Sequence, residues 1–160
     1  MNTDKTEECC PRFNPDPWND KVITWDNKRF VHDHVTSLFH FPLNYGVVMK
    51  RCLNKIREAG AGTDTRVILT DENSLWGADV YLEASKEVPI ANMKTISGTF
   101  MTRVFEGSYR NMGVWIDDMK AYVAANGKQI LKMYFYYTTC PNCARKYGEN
   151  YVVILAKVAE

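Results

Sequence analysis

The sequence predicts an α+β domain in which two strand–helix–strand–strand units join into one antiparallel sheet, with both helices on the same face. This prediction rests on two amphipathic helical segments and on the same order of elements in each half of the chain. Glycines mark corresponding points. Gly46 and Gly113 lie near the predicted helix starts, Gly60 and Gly127 lie at the helix ends, and the two pairs have the same separation. One such unit buries its own faces poorly, so the two units are expected to share a core.

The composition narrows the class of protein. The chain has 160 residues, of which 46% are hydrophobic, which is typical of a folded domain. The 20 basic and 19 acidic residues give a net charge of +1, which argues against a nucleic-acid partner. We find neither an apolar run long enough to span a membrane nor a signal peptide at the polar N-terminus, so we expect a cytoplasmic monomer or homodimer with no membrane partner.

The predicted domain follows an arm. Residues 1–27 are expected to form an irregular arm ending in a hairpin strand, with Asp26 and Asn27 at the turn. Phe13 and Trp18 are large apolar residues with which this arm can anchor itself. Residues 28–160 form the domain, with repeat one at about 28–88 and repeat two at about 93–160.

Helical periodicity locates the two helices. Both segments carry apolar residues at spacings of three and four. In the first helix these are Tyr45, Val48, Met49, Cys52, Leu53 and Ile56; in the second they are Met112, Trp115, Ile116, Met119, Tyr122 and Val123. The predicted strands of the domain include residues 66–70, 79–85, 93–105, 128–139 and 151–158, and residues 71–78 are expected to form a polar loop.

Two carboxylates are the candidate catalytic groups. Glu106 comes between a predicted strand and the second helix, where the helix dipole favours an anion. Glu83 lies on a strand whose neighbours are apolar, and on the same face as Tyr81, so its carboxylate needs either a partner, a cavity or solvent. We expect Glu106 to face a cleft lined by Glu83 and by a tyrosine, rather than bulk solvent.

Aromatic and histidine side chains are the candidate ligand-binding groups. Tyrosines combine a stacking surface with a hydrogen bond, which suits a small-molecule cleft on the concave face of the sheet or at the seam between the units. The predicted binding set is His40, Trp76, Tyr81, Tyr109, Tyr136 and Tyr137. The sequence leaves open which alternate tyrosines of residues 134–137 face the helices, because a shift of one residue reverses the faces.

Cysteine and histidine spacing raises two metal hypotheses. Cys140 and Cys143 have the spacing of a zinc knuckle, and a structural zinc site would need Cys9 or Cys10 as well; free thiols are the alternative. His32 and His34 share a strand face and could ligate one ion, but two ligands fall short of a usual site. No cofactor is predicted for catalysis, and structural zinc is the cofactor hypothesis.

The turn Gly107-Ser108-Tyr109, which leads into the second helix, and the duplicated layout resemble the GyrI-like small-molecule-binding superfamily over roughly residues 28–158. This resemblance implies a ligand cavity, and the stand-alone cyclopropanoid hydrolases among its members imply hydrolysis of a strained ring. Those hydrolases carry a glutamate on the strand after the second helix, where this chain has no acidic residue between Met133 and Tyr137.

Two functions follow as expectations. One is a hydrolase of electrophilic or strained-ring xenobiotics, in which Glu106 and Glu83 position water. The other is a non-catalytic binder or sensor of aromatic or cationic compounds, in which the same residues stack and pair with charge. Two acids and a tyrosine around one point would favour hydrolysis, whereas a single acid among rings would favour binding.

Overall fold

The computed structural model describes residues 12–38, 41–42, 44–63, 65–74, 76–138 and 141–160. The strands are β1 (Lys21–Leu38), β2 (Phe41–Pro42), β3 (Ile68–Ser74), β4 (Gly77–Glu83), β5 (Asn92–Glu106), β6 (Ile130–Tyr137) and β7 (Tyr151–Val158). The helices are α1 (Tyr45–Glu58), α2 (Met112–Ala125) and α3 (Pro141–Tyr147), with a 3-10 turn at Tyr109–Asn111 before α2. None of these helices is long and apolar enough to cross a bilayer.

The sheet closes on itself. Its strand order is β2-β1-β4-β3-β6-β7-β5, and an additional pairing between β1 and β5 joins the two ends into a barrel of six strands. All the pairings are antiparallel. The expected α+β class with one antiparallel sheet is therefore confirmed. Closure removes the open concave face that the sequence suggests as one place for a cleft.

The long strand β1 makes the closure. Its first part pairs with β5, from Lys21 opposite Thr102 onwards, and its second part also pairs with β4. The predicted hairpin at Asp26 and Asn27 is wrong, because the chain passes through these residues as a bulge between Trp25 and Lys28. Asn27 has φ 50°, a conformation that asparagine tolerates, and a bulge bends a strand without reversing it. The boundary predicted between residues 27 and 28 thus falls inside a strand.

Alternation along the strands sorts side chains between the two faces of the barrel. Tyr134 and Tyr136 of β6 point into an interior filled mostly by rings and aliphatic side chains. Its buried members are Phe30, Val67, Leu69, Ile96, Phe100, Tyr134, Tyr136, Val153 and Leu155. On the outer face, α1 packs over β1 and β4, while α2 packs over β5, β6 and β7. Both helices therefore share one face, as predicted.

The amphipathic stripes of the helices explain this packing. In α1 the buried residues are Val48, Met49, Cys52 and Ile56, whereas Leu53, expected on the stripe, is 45% exposed. In α2 they are Trp115, Met119 and Val123. The short helix α3 stands where the sequence predicts only a loop, because seven residues are too few to show a helical period.

The arm closes one part of the interior. Trp18 and Phe13 make edge-to-face contacts with Tyr136, with ring centroids 5.6 and 5.8 Å apart. The carbonyl oxygen of Trp18 accepts a hydrogen bond of 2.5 Å from the hydroxyl of the buried Thr102. The arm is thus part of the folded domain.

We expect Trp18→Ala to lower the free energy of unfolding by about 2 kcal/mol, because removal of the half-buried indole leaves an unfilled space against Tyr136. Urea denaturation at equilibrium measures the change. Val22→Ala, at a residue that is 64% exposed on the neighbouring strand, is the control and should change the stability little. Equal stabilities for the two variants would mean that the arm does not contribute to the core.

Candidate functional site

A tyrosine and a glutamate meet on the outer face of the barrel, where the two halves of the sheet join. The hydroxyl of Tyr137 donates a hydrogen bond of 2.7 Å to Oε1 of Glu72. These residues lie on β6 and β3, whose described residues pair in register only at Thr70 and Phe135. We call this junction between β3 and β6 the seam. Because the sequence assigns these strands to different predicted units, the seam is the candidate site.

Two more tyrosines lie near the seam. The ring of Tyr109 stands edge-to-face on Tyr137, with centroids 5.6 Å apart, and the ring of Phe135 lies nearly parallel to that of Tyr137. Tyr45, at the start of α1, is near enough to act electrostatically on Tyr137. The first residues of α1 and the turn before α2 therefore bring aromatic side chains to the Tyr137–Glu72 pair.

The electrostatics of the pair define what each group can do. Burial raises the pKa of Tyr137 far above its usual value, and the negative charge of Glu72 and the hydrogen bond to it raise it further. The phenol therefore keeps its proton and acts as a hydrogen-bond donor. Glu72 is exposed, so its carboxylate can reach a water molecule or the positive charge of a ligand. We call Tyr45, Glu72, Tyr109 and Tyr137 the seam site.

The local sequence explains how Tyr109 reaches the seam site. Gly107 has φ 135°, which only glycine adopts readily, and its N–H donates to the carbonyl oxygen of Asn150. The side chain of Ser108 then accepts a hydrogen bond from the N–H of Arg110 and caps the 3-10 turn that contains Tyr109. The Gly-Ser-Tyr sequence thus forms a turn between β5 and α2.

Glu106 does not have the surroundings that the sequence predicts. It is the last residue of β5, opposite Tyr151, and it is exposed, so the expectation of a sheltered carboxylate is wrong. The 3-10 turn at Tyr109–Asn111 separates it from α2, which has no acidic residue in its first turn. The helix dipole therefore does not act on Glu106 as expected. Its catalytic role stays a prediction.

Glu83 has a fully engaged carboxylate. One oxygen accepts from Nζ of Lys28 at 2.8 Å, and the other accepts from the hydroxyls of Thr63 and Thr65 and from the N–H of Val67. Burial by itself raises the pKa of Glu83, but these hydrogen bonds outweigh it and the net pKa is lowered. A carboxylate held in this way joins β1, β4 and the segment before β3, and is a weak base.

The predicted aromatic set divides between two faces. Tyr109 and Tyr137 lie at the seam site, whereas Tyr81 and Tyr136 lie with the interior rings of the barrel. Trp76 stands at the turn between β3 and β4 and is 56% exposed. This division follows from the register of β6, which the sequence leaves open.

Four predicted residues lie outside the described part of the chain, namely His40, Cys9, Cys10 and Cys140. Cys143 is buried on α3. Within the described ranges, no group of three ligating side chains is arranged around a common point as a bound ion would hold it. The zinc knuckle therefore stays a prediction.

Sequence reasoning missed Glu72 and the site role of Tyr45. Residues 71–78 read as a loop, but β3 continues to Ser74 and so carries Glu72 to the seam. Tyr45 fits the apolar stripe of α1, which hides its position at the first turn of that helix. The sequence offered one indication of these residues, namely the expectation that a ligand binds where the two predicted units meet.

Comparison with known protein families shows the family to which the chain belongs. A family model described as bacterial hydrolase matches residues 1–158. The chain belongs to the bacterial hydrolase family. Among curated proteins, none matches it.

Solved structures share the fold of this family member. An uncharacterized conserved protein from Listeria innocua is similar with a TM-score of 0.67 and 9% identity, over 87% of this chain and 91% of that one. A hydrolase from Listeria innocua has a TM-score of 0.64 and 9% identity, over 88% and 93%. SAV2435, solved with tetraphenylphosphonium bound, has a TM-score of 0.50 and 9% identity, over 87% and 93%. At such identities these likenesses show the fold alone.

The surroundings of Glu83 lead to a prediction for stability. We expect Glu83→Gln to lower the free energy of unfolding by about 1–3 kcal/mol at pH 7, because Lys28 loses its charge partner. The folded pKa of Glu83 is depressed, so its contribution is present above the unfolded pKa of about 4.3 and disappears as the pH falls through the folded value. Denaturation at pH 7 and pH 3 should show the difference from the unchanged protein shrinking at pH 3.

Glu87→Gln is the matched control for this experiment, because Glu87 is exposed in the neighbouring segment. It should leave the stability unchanged at both pH values. A difference between Glu83→Gln and the unchanged protein that is the same at pH 7 and pH 3 would contradict the assignment.

Proposed function

We propose that this protein hydrolyses a small electrophilic organic molecule, such as a strained-ring xenobiotic, at the seam site. Membership of the bacterial hydrolase family supports a hydrolytic reaction. The observation that carries the site is the 2.7 Å hydrogen bond between Tyr137 and Glu72 at an aromatic, solvent-reached junction. The resemblance of the sequence to the cyclopropanoid hydrolases of the GyrI-like superfamily supports the substrate class.

Glu72 and Tyr137 have different roles in the proposed reaction. The carboxylate of Glu72 takes a proton from water as the water oxygen attacks the electrophilic carbon. The hydroxyl of Tyr137 keeps its proton and donates a hydrogen bond to the departing heteroatom as negative charge develops there. Glu72 then gives that heteroatom the proton that it took from water, so the site is restored and one water is consumed. The rings of Tyr109 and Tyr45 hold an apolar substrate beside the pair.

Glu72 takes the role that the sequence suggests for Glu83, because the carboxylate of Glu83 is already held by four donors. Glu106 is the second carboxylate of the proposal. It precedes the turn that carries Tyr109, and it is exposed, so it can pair with a positive charge on a substrate at the rim.

Variants of the pair test the reaction. With styrene oxide and 4-nitrophenyl acetate as probes, Glu72→Gln should lower turnover by a factor of about 100, because the amide cannot accept the proton. Tyr137→Phe should lower it by about 10-fold or more through loss of the donor. Glu58→Gln, an exposed acid at the end of α1, is the control. Hydrolysis of neither probe by the unchanged protein, or equal rates in Glu72→Gln and Glu58→Gln, would contradict the proposal.

A non-catalytic binder of aromatic cations is the second candidate. One acid among rings at the seam favours it, since a carboxylate and tyrosine faces both attract a positive charge. SAV2435, which shares the fold, was solved with tetraphenylphosphonium bound.

Calorimetric titration with tetraphenylphosphonium separates the candidates. A binder should lose affinity by about 10-fold in Glu72→Gln, because a charge-assisted contact of about 1–3 kcal/mol is removed. It should hydrolyse neither probe. Unchanged affinity in Glu72→Gln would remove the seam site from this role.

A further inference from the structure

A buried hydroxyl at the floor of the seam makes no hydrogen bond. Within the described ranges, the side-chain atoms that are buried without a hydrogen-bond partner are Oγ1 of Thr70, Oδ2 of Asp71 and Oδ1 of Asn150. Asp71 forms an ion pair of 2.6 Å with Lys132, and Asn150 is partly exposed. Thr70 is only 4% exposed. Its hydroxyl is therefore deeply buried and neither donates nor accepts.

The strand register explains why this hydroxyl has no partner. Thr70 lies on the outer face of β3, opposite Val80 of β4 on one side and Phe135 of β6 on the other. Neither neighbour has a polar side-chain group. Glu72 follows two residues, or about 7 Å, along the same face of β3, and its carboxylate is bonded to Tyr137. The nearest polar side chains of the seam therefore pair with each other.

Thr70 also lies at the boundary between the two cores of the outer face. Val80 belongs to the cluster beneath α1, Phe135 belongs to the cluster beneath α2, and the two clusters are separate. Tyr45 packs against the first cluster and Tyr137 against the second, and both tyrosines are only half-buried. The line between the two clusters therefore leads from solvent down to the hydroxyl of Thr70.

An unpartnered hydroxyl at this place is unfavourable for folding. Burial of a hydroxyl without a hydrogen bond costs free energy. Valine has the same branched shape, is equally suited to a strand and has no polar atom, so packing alone would favour valine at residue 70. A buried polar group that the protein itself leaves unpartnered needs an explanation, and a ligand at the site supplies one.

We propose that the hydroxyl of Thr70 hydrogen-bonds the small molecule at the seam site and thereby selects its class. Glu72 and Tyr137 act at the solvent end of the seam, and Thr70 acts at the buried end. The substrate is then an electrophile whose apolar body carries an oxygen or nitrogen atom about 7 Å from the reacting carbon. A site with such a hydroxyl rejects the analogue that lacks this atom. This role rests on the proposed function, which places the small molecule at the seam site.

Two ligands of nearly equal shape test this role. Acetophenone has a carbonyl oxygen where isopropylbenzene has a methyl group, and chemical-shift titrations by NMR measure weak affinities for both. Thr70→Val should lower the affinity for acetophenone by about 10-fold, because the carbonyl loses its donor. It should not lower the affinity for isopropylbenzene. Thr95→Val, at an exposed threonine of β5, is the matched control and should bind both ligands as the unchanged protein does.

The stability of the protein is a second readout, and it needs no ligand. Thr70→Val should raise the urea concentration at the midpoint of unfolding, because it removes an unpartnered hydroxyl. Thr102→Val should lower this midpoint, because Thr102 is also buried but its hydroxyl donates to the carbonyl oxygen of Trp18. A hydroxyl with a purely structural role at residue 70 would behave as that of Thr102 does.

Three results would overturn the proposal. They are absence of acetophenone binding by the unchanged protein, equal acetophenone affinity in Thr70→Val and Thr95→Val, and a lower urea midpoint in Thr70→Val. The hydrolysis assay with Glu72→Gln tests the proposed reaction separately. Acetophenone binding that depends on Thr70, without hydrolysis of either probe, would exclude the reaction and support the role of Thr70 in selecting the ligand.

Discussion

Closure of the sheet by β1 is the constraint on which the rest of the structure depends. The strand is long enough to pair with β5 along its first part and with β4 along its second, so the sheet has one continuous circuit of hydrogen bonds. A closed sheet encloses an interior, and because side chains alternate along each strand, every second residue of the six strands points into that interior. The bulge at Trp25 and Lys28 keeps β1 continuous through a sequence that would otherwise turn.

The size of the interior determines where a ligand can go. A barrel of six strands is narrow, and rings such as Phe30, Phe100 and Tyr134 fill it. Trp18 and Phe13 add two rings from the arm. A large apolar ligand has no room there, so the outer seam, where β3 and β6 pair least, is the place where the sheet itself leaves side chains in reach of solvent.

The two faces of the barrel carry different chemistry for the same reason. Outward-pointing residues of β3 and β6 bring a carboxylate and a phenol together between the beginnings of α1 and α2. Inward-pointing residues of β1 and β4 bring two imidazoles and a carboxylate together at one end of the interior. A glutamate of the same inward set, Glu83, is instead held by Lys28 and by three other donors, which makes it structural.

The sequence by itself determined the local elements. Helical periodicity placed α1 and α2, and the mostly apolar run of residues 151–158 placed β7 at its observed bounds. These signals are local, since each arises from the spacing of residues within one element. Tertiary structure alone decided that the hairpin at Asp26 is a bulge, that Tyr136 is buried while Tyr137 meets Glu72, and that His32 and His34 share Asp79. Each of these depends on strand register and on closure, and pairings between residues far apart in the chain leave no periodic trace in either segment.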